Sequence, residues 1–237
     1  MASSTPTDPP QGAADPPSVA SDGVKPRWER RKQERPQEMI AAAFTLFVER
    51  GFAATRLEDV AARAGVSKGT LYLYFANKQE LFKAVVRESI VPVIDEADAM
   101  VEHYQGSSAA LFADIMMGWW QRIGATSRAG IAKLVMAEAG NFPEIAAFYH
   151  DEVIKRGHAM IERLLQRGIE RGEFRSVDIA ATRNVLMAPM LMLIMWKHSF
   201  APCLAEPIDP AAYLQSFVDF ALHGLLVPAA ASQDTAP

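Results

Sequence analysis

Between Leu57 and Phe75 the apolar residues recur at helical spacing, but the run breaks once, at Gly65. Leu57, Val60, Ala61 and Ala64 share one helical face, and Leu71 and Phe75 share another. Gly65 permits the positive φ of a sharp turn, and Ser67 is a favoured N-cap for a new helix. Thr55 and Glu58 have the spacing of a capping box, as do Asn77 and Glu80. A preceding helix over Pro36–Arg50 carries Ile40, Phe44, Phe47 and Val48 on a buried stripe, and Gly51 serves as its C-cap. Pro36 suits its first turn. Two short helices joined at a glycine and backed by a third form a helix-turn-helix. Small Ala61 lets the two short helices approach, and Leu71 fills the space between them.

The outer face of the second short helix is unusual. Turning about 100° per residue, it places Gly69 and Leu73 opposite the Leu71/Phe75 face, with Thr70 beside them. Lys68 and Tyr72 fall on one flank and Tyr74 on the other. An apolar residue outside a Leu/Phe core makes sense in a major groove, where it can touch a thymine methyl. Gly69 permits close approach, the tyrosine hydroxyls can reach phosphates, and Lys68 and Lys78 can neutralise them. The alternative is that the tyrosines pack between helices. Charge favours nucleic acid. The chain carries −4 overall, but Lys25–Ile90 holds 13 Lys/Arg against 8 Asp/Glu, and the remainder is acidic. For "KPRWERRKQER", Lys25–Arg35, two readings stay open: an arm reaching the minor groove or phosphates, or a solvated helix extension.

The stretch "GFAATRLEDVAARAGVSKGTLYLYFANKQELF" resembles the TetR family of bacterial transcriptional regulators, a pattern that extends over Pro36–Lys83. The resemblance implies DNA contacts from Thr55, Ser67, Thr70, Tyr72, Tyr74 and Lys78. With the outer-face residues, the candidate DNA-binding set is Thr55, Arg56, Ser67, Lys68, Gly69, Thr70, Tyr72, Leu73, Tyr74 and Lys78. The family often has His where Tyr74 stands. Leu73 occupies a variable position, so no operator sequence follows.

Beyond Ile90 the helical pattern lengthens into Lys78–Gln105, Ser108–Gly124, Arg128–Ala139, Phe142–Arg171, Asp178–Phe200 and Pro210–Leu226. Pro92 and Pro189 are expected to bend the first and fifth of these. Met116, Trp119, Trp120, Met187, Met190 and Trp196 supply more apolar bulk than one buried face needs. They read either as core or as an adaptable ligand pocket. The resemblance tilts this to a pocket, since such regulators usually bind a small inducer there. "IAKLVMAEAGNFPEIAAFYHDEVIKRG" also looks like the AefR-like C-terminal domain, implying an apolar or aromatic effector. Tyr213, Phe217, Phe220, Ala221 and Gly224 mark a homodimer interface, a four-helix bundle with Asp178–Phe200 across a two-fold axis.

The expected architecture is all-α: an N-terminal three-helix helix-turn-helix domain, then a larger helical ligand-binding and dimerisation domain. The expected bounds are 1–24, a disordered tail; 25–83, DNA binding; 84–228, ligand binding and dimerisation; and 229–237, a second tail. The opening residues lack the basic and apolar regions of a signal peptide. The most apolar run, Val185–Trp196, is too short to span a membrane. One cysteine, Cys203, excludes an internal disulfide. The histidines are scattered, and no HExxH, CxxC, GxSxG or Walker pattern occurs. No catalytic residue, metal ligand or cofactor is therefore expected. The expected partners are a near-palindromic DNA operator, a small apolar or aromatic effector and a second copy of the chain, in the cytoplasm, without a membrane. Two other readings remain: a regulator switched by a protein partner, and an enzyme on a helical scaffold.

Overall fold

The computed structural model describes Met1, residues 27–203 and residues 205–228, with side chains from residue 35 onward. The expected tails at 1–24 and 229–237 lie outside these, Met1 apart. The described residues are helical, apart from loops and one antiparallel bridge between Phe174 and Leu226. Helix α1 spans Arg27–Ala54, α2 Leu57–Arg63, α3 Lys68–Tyr74, α4 Lys78–Ser89 and α5 Val91–His103. Then follow α6 at Ser108–Trp119, α7 at Ala129–Glu138, α8 at Pro143–Tyr149, α9 at Lys155–Glu170, α10 at Ile179–Met195 and α11 at Pro210–Leu225.

The N-terminal unit follows the residue pattern closely. Met39, Leu46, Phe47, Phe52, Val60, Leu71, Leu81 and Phe82 are buried together. Phe47, Phe52 and Phe82 form an aromatic triad with ring centroids 5.5–5.7 Å apart. Gly65 takes φ 66° at the turn, and Ser67 accepts from the Thr70 N–H as the N-cap of α3. Asn77 caps α4 in the same way. Gly51, at φ 84°, kinks α1 sharply just before its end.

Three expectations need correction. Helix α1 begins at Arg27, so Pro36 lies inside it and not in its first turn. The backbone of residues 27–35 is thus a continuation of the helix. The expected helix Lys78–Gln105 is two helices, interrupted at Ile90. Pro92 sits in the first turn of α5, where its missing N–H costs nothing, and bends no continuous helix. The third correction concerns α10. With the turns that follow, it forms a 25-residue segment, Ile179–Cys203, long and apolar enough by length and composition to cross a membrane. The expectation counted only its most apolar run. Here the segment packs against α9, α7 and α11. Its Arg183 pairs with Glu162 of α9, and Lys197 donates to the carbonyls of Gly124 and Ala125. The helix passes through Pro189 unbroken.

Three helices change pitch where they continue. One π turn each follows α6 (Trp120–Gly124), α8 (His150–Ile154) and α10 (Trp196–Phe200). Such turns widen the helix and rotate the side chains beyond them. A second apolar core is built on Leu111, Phe112, Leu164, Leu165, Leu193 and Leu214 and takes in Trp120 of the first π turn, whereas Val153 of the second packs against the N-terminal core. Trp119 packs against both cores and against a smaller cluster of Ala129, Ala132 and Ile194.

Candidate nucleic-acid interface and apolar cavity

Helix α3 buries Leu71 completely and leaves Phe75 only 8% exposed, which fixes the rotation of its other face. Leu73 is therefore 84% exposed, flanked by exposed Tyr72 and Tyr74. Gly69 adds a side-chain-free patch on the same face. Ser67 and Thr70 bond each other through their hydroxyls, 2.8 Å apart, at the start of the helix. Lys68 pairs with Glu58 of α2 and sits 5.8 Å from the centre of the Tyr72 ring. That pairing lowers the Glu58 pKa and raises that of Lys68, so both remain charged at neutral pH. Arg56 is exposed at the N-terminus of α2. These residues together form one accessible surface suited to phosphates and base edges.

Two predicted contacts instead face inward. Thr55 is fully buried, and its hydroxyl donates to the Gly51 and Leu46 carbonyls at 2.7 and 3.2 Å. It does not cap α2, whose N-cap is Arg56 without a side-chain bond. Lys78 reaches back to the same corner. Its Nζ donates to the carbonyls of Phe52, Thr55 and Ala53 at 2.7, 3.0 and 3.2 Å, and lies 4.5 Å from the centre of the Phe52 ring. Burial pushes its pKa down, partly countered by Glu138. The orphan carbonyls at the kinked end of α1 need donors, and Thr55 and Lys78 supply them. Both residues shape the reading head without projecting from it.

The C-terminal half encloses an apolar cavity of about 210 Å³, above the ~150 Å³ that suffices for benzene. Four of the six predicted pocket residues line it: Met116, Trp119, Met187 and Met190. Helices α5, α7 and α9 add Ile94, Met100, Val135, Gly157 and Ile161, and Ile90 lines it from the α4–α5 break. Trp120 and Trp196 do not belong. They border a separate cleft of about 240 Å³ with Leu193, Lys197 and Ile208. Trp120 points away because it is one residue on from Trp119, about 100° around the helix. Trp196 is nine residues on from Met187, which at about 100° per residue puts it on the far side of α10. The sequence reading also missed Tyr149 and His158 on the cavity wall. His150 and Asp151, next in the chain, are exposed, but Tyr149 is buried.

The cavity is mechanically close to the reading head. Helix α7 lines it with Ala132, Val135 and Met136. The same helix meets α1 so tightly that a Cβ at Gly130 would lie 2.7 Å from Val48. Glu138, in the last turn of α7, accepts from the Ala53 N–H at 3.3 Å, at the corner held by Lys78. Phe142 stacks edgewise on Phe52 with ring centroids 4.9 Å apart.

Of the predicted interface residues, Phe220 (82% exposed) and Gly224 face outward on α11. Ala221 is buried in the second core, and Tyr213 and Phe217 are partly buried against it. Tyr213 donates to the Pro189 carbonyl, and Phe217 packs edgewise on Phe112. Val185, Leu191 and Met192 of α10 are also exposed.

Residues 39–85 match the family model described as "Bacterial regulatory proteins, tetR family", and residues 105–221 match "Tetracyclin repressor-like, C-terminal domain". The HTH-type transcriptional regulator YfiR of Bacillus subtilis is 29% identical over 155 residues, 64% of this chain and 73% of that protein. The HTH-type transcriptional repressor KstR2 of Mycolicibacterium smegmatis is 25% identical over 200 residues, 81% and 90% of the two chains. Among solved structures, a transcriptional regulator from Saccharomonospora viridis in complex with choline superposes with a TM-score of 0.70. It is 19% identical, with 82% of this chain and 99% of that one covered.

Proposed function

Because the chain belongs to the tetR family of bacterial regulatory proteins, we propose that it is a cytoplasmic transcriptional repressor, released from a near-palindromic operator by a small apolar or aromatic effector. The observation that carries the DNA-reading half of this proposal is the outer face of α3, where exposed Leu73 stands between two exposed tyrosines. In a homodimer, two such helices enter successive major grooves, as helix-turn-helix dimers do. The apolar cavity supports the effector half. The reading is of a regulator, not an enzyme.

The switch follows from the shared walls. An occupant of the cavity presses on Ile90, where α4 leaves the reading head, and on α7, which grips α1 and the Ala53 corner. A coupling of ~1–3 kcal/mol, or about 5–150-fold in operator affinity, suffices for regulation.

Tyr72→Ala tests the reading head. Its operator, selected from random duplexes by the wild-type protein, should bind the variant about 1–3 kcal/mol more weakly. The melting temperature should stay unchanged, since Tyr72 lies off the Leu71/Phe75 face. A variant that melts early but binds its operator normally would make Tyr72 a packing residue and remove this face from the interface.

A further inference from the structure

The cavity wall carries few polar groups, and they differ in what they already hold. The titratable residues on it are Asp114, Arg122, Tyr149 and His158. The two charged ones stand at the exposed rim and are engaged. Asp114 accepts from the Tyr104 hydroxyl at 2.6 Å, and Arg122 pairs with Glu96 at 2.9 Å. Tyr149 is different. It is 9% exposed and lines the cavity, yet its hydroxyl has no hydrogen-bond partner among the described residues. Buried phenols ordinarily find one. Burial alone pushes its pKa up, so the hydroxyl keeps its proton at any physiological pH and stays a donor. His158 is likewise without a partner, and burial, aided by Arg183, pushes its pKa down toward the neutral ring.

We infer that the effector is a neutral, mainly apolar molecule with one oxygen function, which accepts a hydrogen bond from the Tyr149 hydroxyl. This rests on the reading of the cavity as the effector site and adds the chemistry that it selects. A free carboxylate would bring a charge into an apolar enclosure whose inner polar groups, a phenol and a neutral imidazole, offer no counter-charge. Among the described residues the one cation on the wall, Arg122, is paired with Glu96. A pure hydrocarbon would leave the Tyr149 hydroxyl without a partner. A hydroxyl, ketone or ester oxygen satisfies it, and the methionine-rich remainder of the wall accommodates the apolar body. Tyr149 also belongs to the first core, beside Val135 and Ile145. An occupant bonded to it is thereby tied to the cluster that holds α1 and α4.

The test is calorimetric, on the full-length protein at neutral pH. The probes are 1-octanol, octanoate, octylammonium and 1-fluorooctane, which share a chain length and differ at one end. Octanol should bind at least about tenfold more tightly than either ion. Replacing octanol by 1-fluorooctane, a poor acceptor, should cost about three- to tenfold on the wild type and nothing on Tyr149→Phe, so that ligand and residue form a coupled pair. Gly157→Leu locates the binding. Gly157 lines the cavity, and a Cβ there meets no atom within 4 Å. The larger residue should fill the space and abolish octanol binding without loss of fold. If Tyr149→Phe binds octanol as the wild type does, or octanoate or octylammonium binds as tightly as octanol, the inference falls while sensitivity to Gly157→Leu keeps the cavity as the effector site. If Tyr149→Phe does not fold, the octanol/fluorooctane ratio on the wild type decides alone: a ratio near one overturns the inference. If no probe binds, or binding ignores Gly157→Leu, the cavity reading falls and the inference with it.

Discussion

Phe220→Glu is expected to turn the dimer into monomers and to reduce operator affinity by about 10²-fold or more. The helix that carries it has one side committed to the interior through Leu214, Val218, Ala221 and Leu225. Phe220 projects from the other side at 82% exposure, and Val185 and Met192 of α10 are exposed as well. Large exposed apolar side chains mark interaction sites when they cluster, and aromatic anchors concentrate interface energy. A carboxylate in that seam would have to be desolvated without a partner, at a cost of several kcal/mol. The loss in DNA affinity follows from valency: once the halves separate, the second half-site is no longer held at high effective concentration. Light scattering gives the mass and a duplex titration the affinity. A dimeric Phe220→Glu would move the interface elsewhere. The same change at Phe217 would be uninformative, because Phe217 packs on Phe112 and its loss would damage the fold.

Lys78→Met should lower stability by about 1.5–3 kcal/mol, the usual worth of hydrogen bonds to a charged group. For a chain of this size that is a fall in melting temperature of roughly 3–12 °C. Methionine preserves the apolar stem and removes only the ammonium, so the loss reports on the three carbonyls at the end of α1. The salt dependence of DNA binding should keep its slope. A lysine that neutralised a phosphate would show the reverse: an unchanged melting temperature and a slope smaller by about one.

The reading head was largely legible because its determinants are local. The Leu71/Phe75 spacing, the caps at Ser67 and Asn77 and the turn at Gly65 each act within a few residues. Thr55 and Lys78 were misread for the opposite reason. Their partners are carbonyls exposed only when α1 kinks at Gly51, and a polar side chain on a basic module reads as a contact with solvent or DNA. The cavity was half legible. Excess apolar bulk marked the right helices, but the choice between Trp119 and Trp120 depends on helix rotation. The same rotation carries Trp196 round α10, away from Met187 and Met190 and into the other cleft. Ile90 could not be read as a break, because Pro92 fits a bend and a new helix equally well.

The division of labour within α2–α3 has a consequence for how such a protein can change. The outward positions Gly69, Tyr72 and Leu73 contribute nothing to the packed side of α3, which rests on Leu71 and on Phe75 just beyond it. The corner that aims the helix is held from behind, by Thr55 and Lys78. Substitutions at the three outward positions are therefore released from the demands of folding. A gene copy could drift to a new operator one side chain at a time, each intermediate folding as its parent does, while the cavity and its switch are inherited intact.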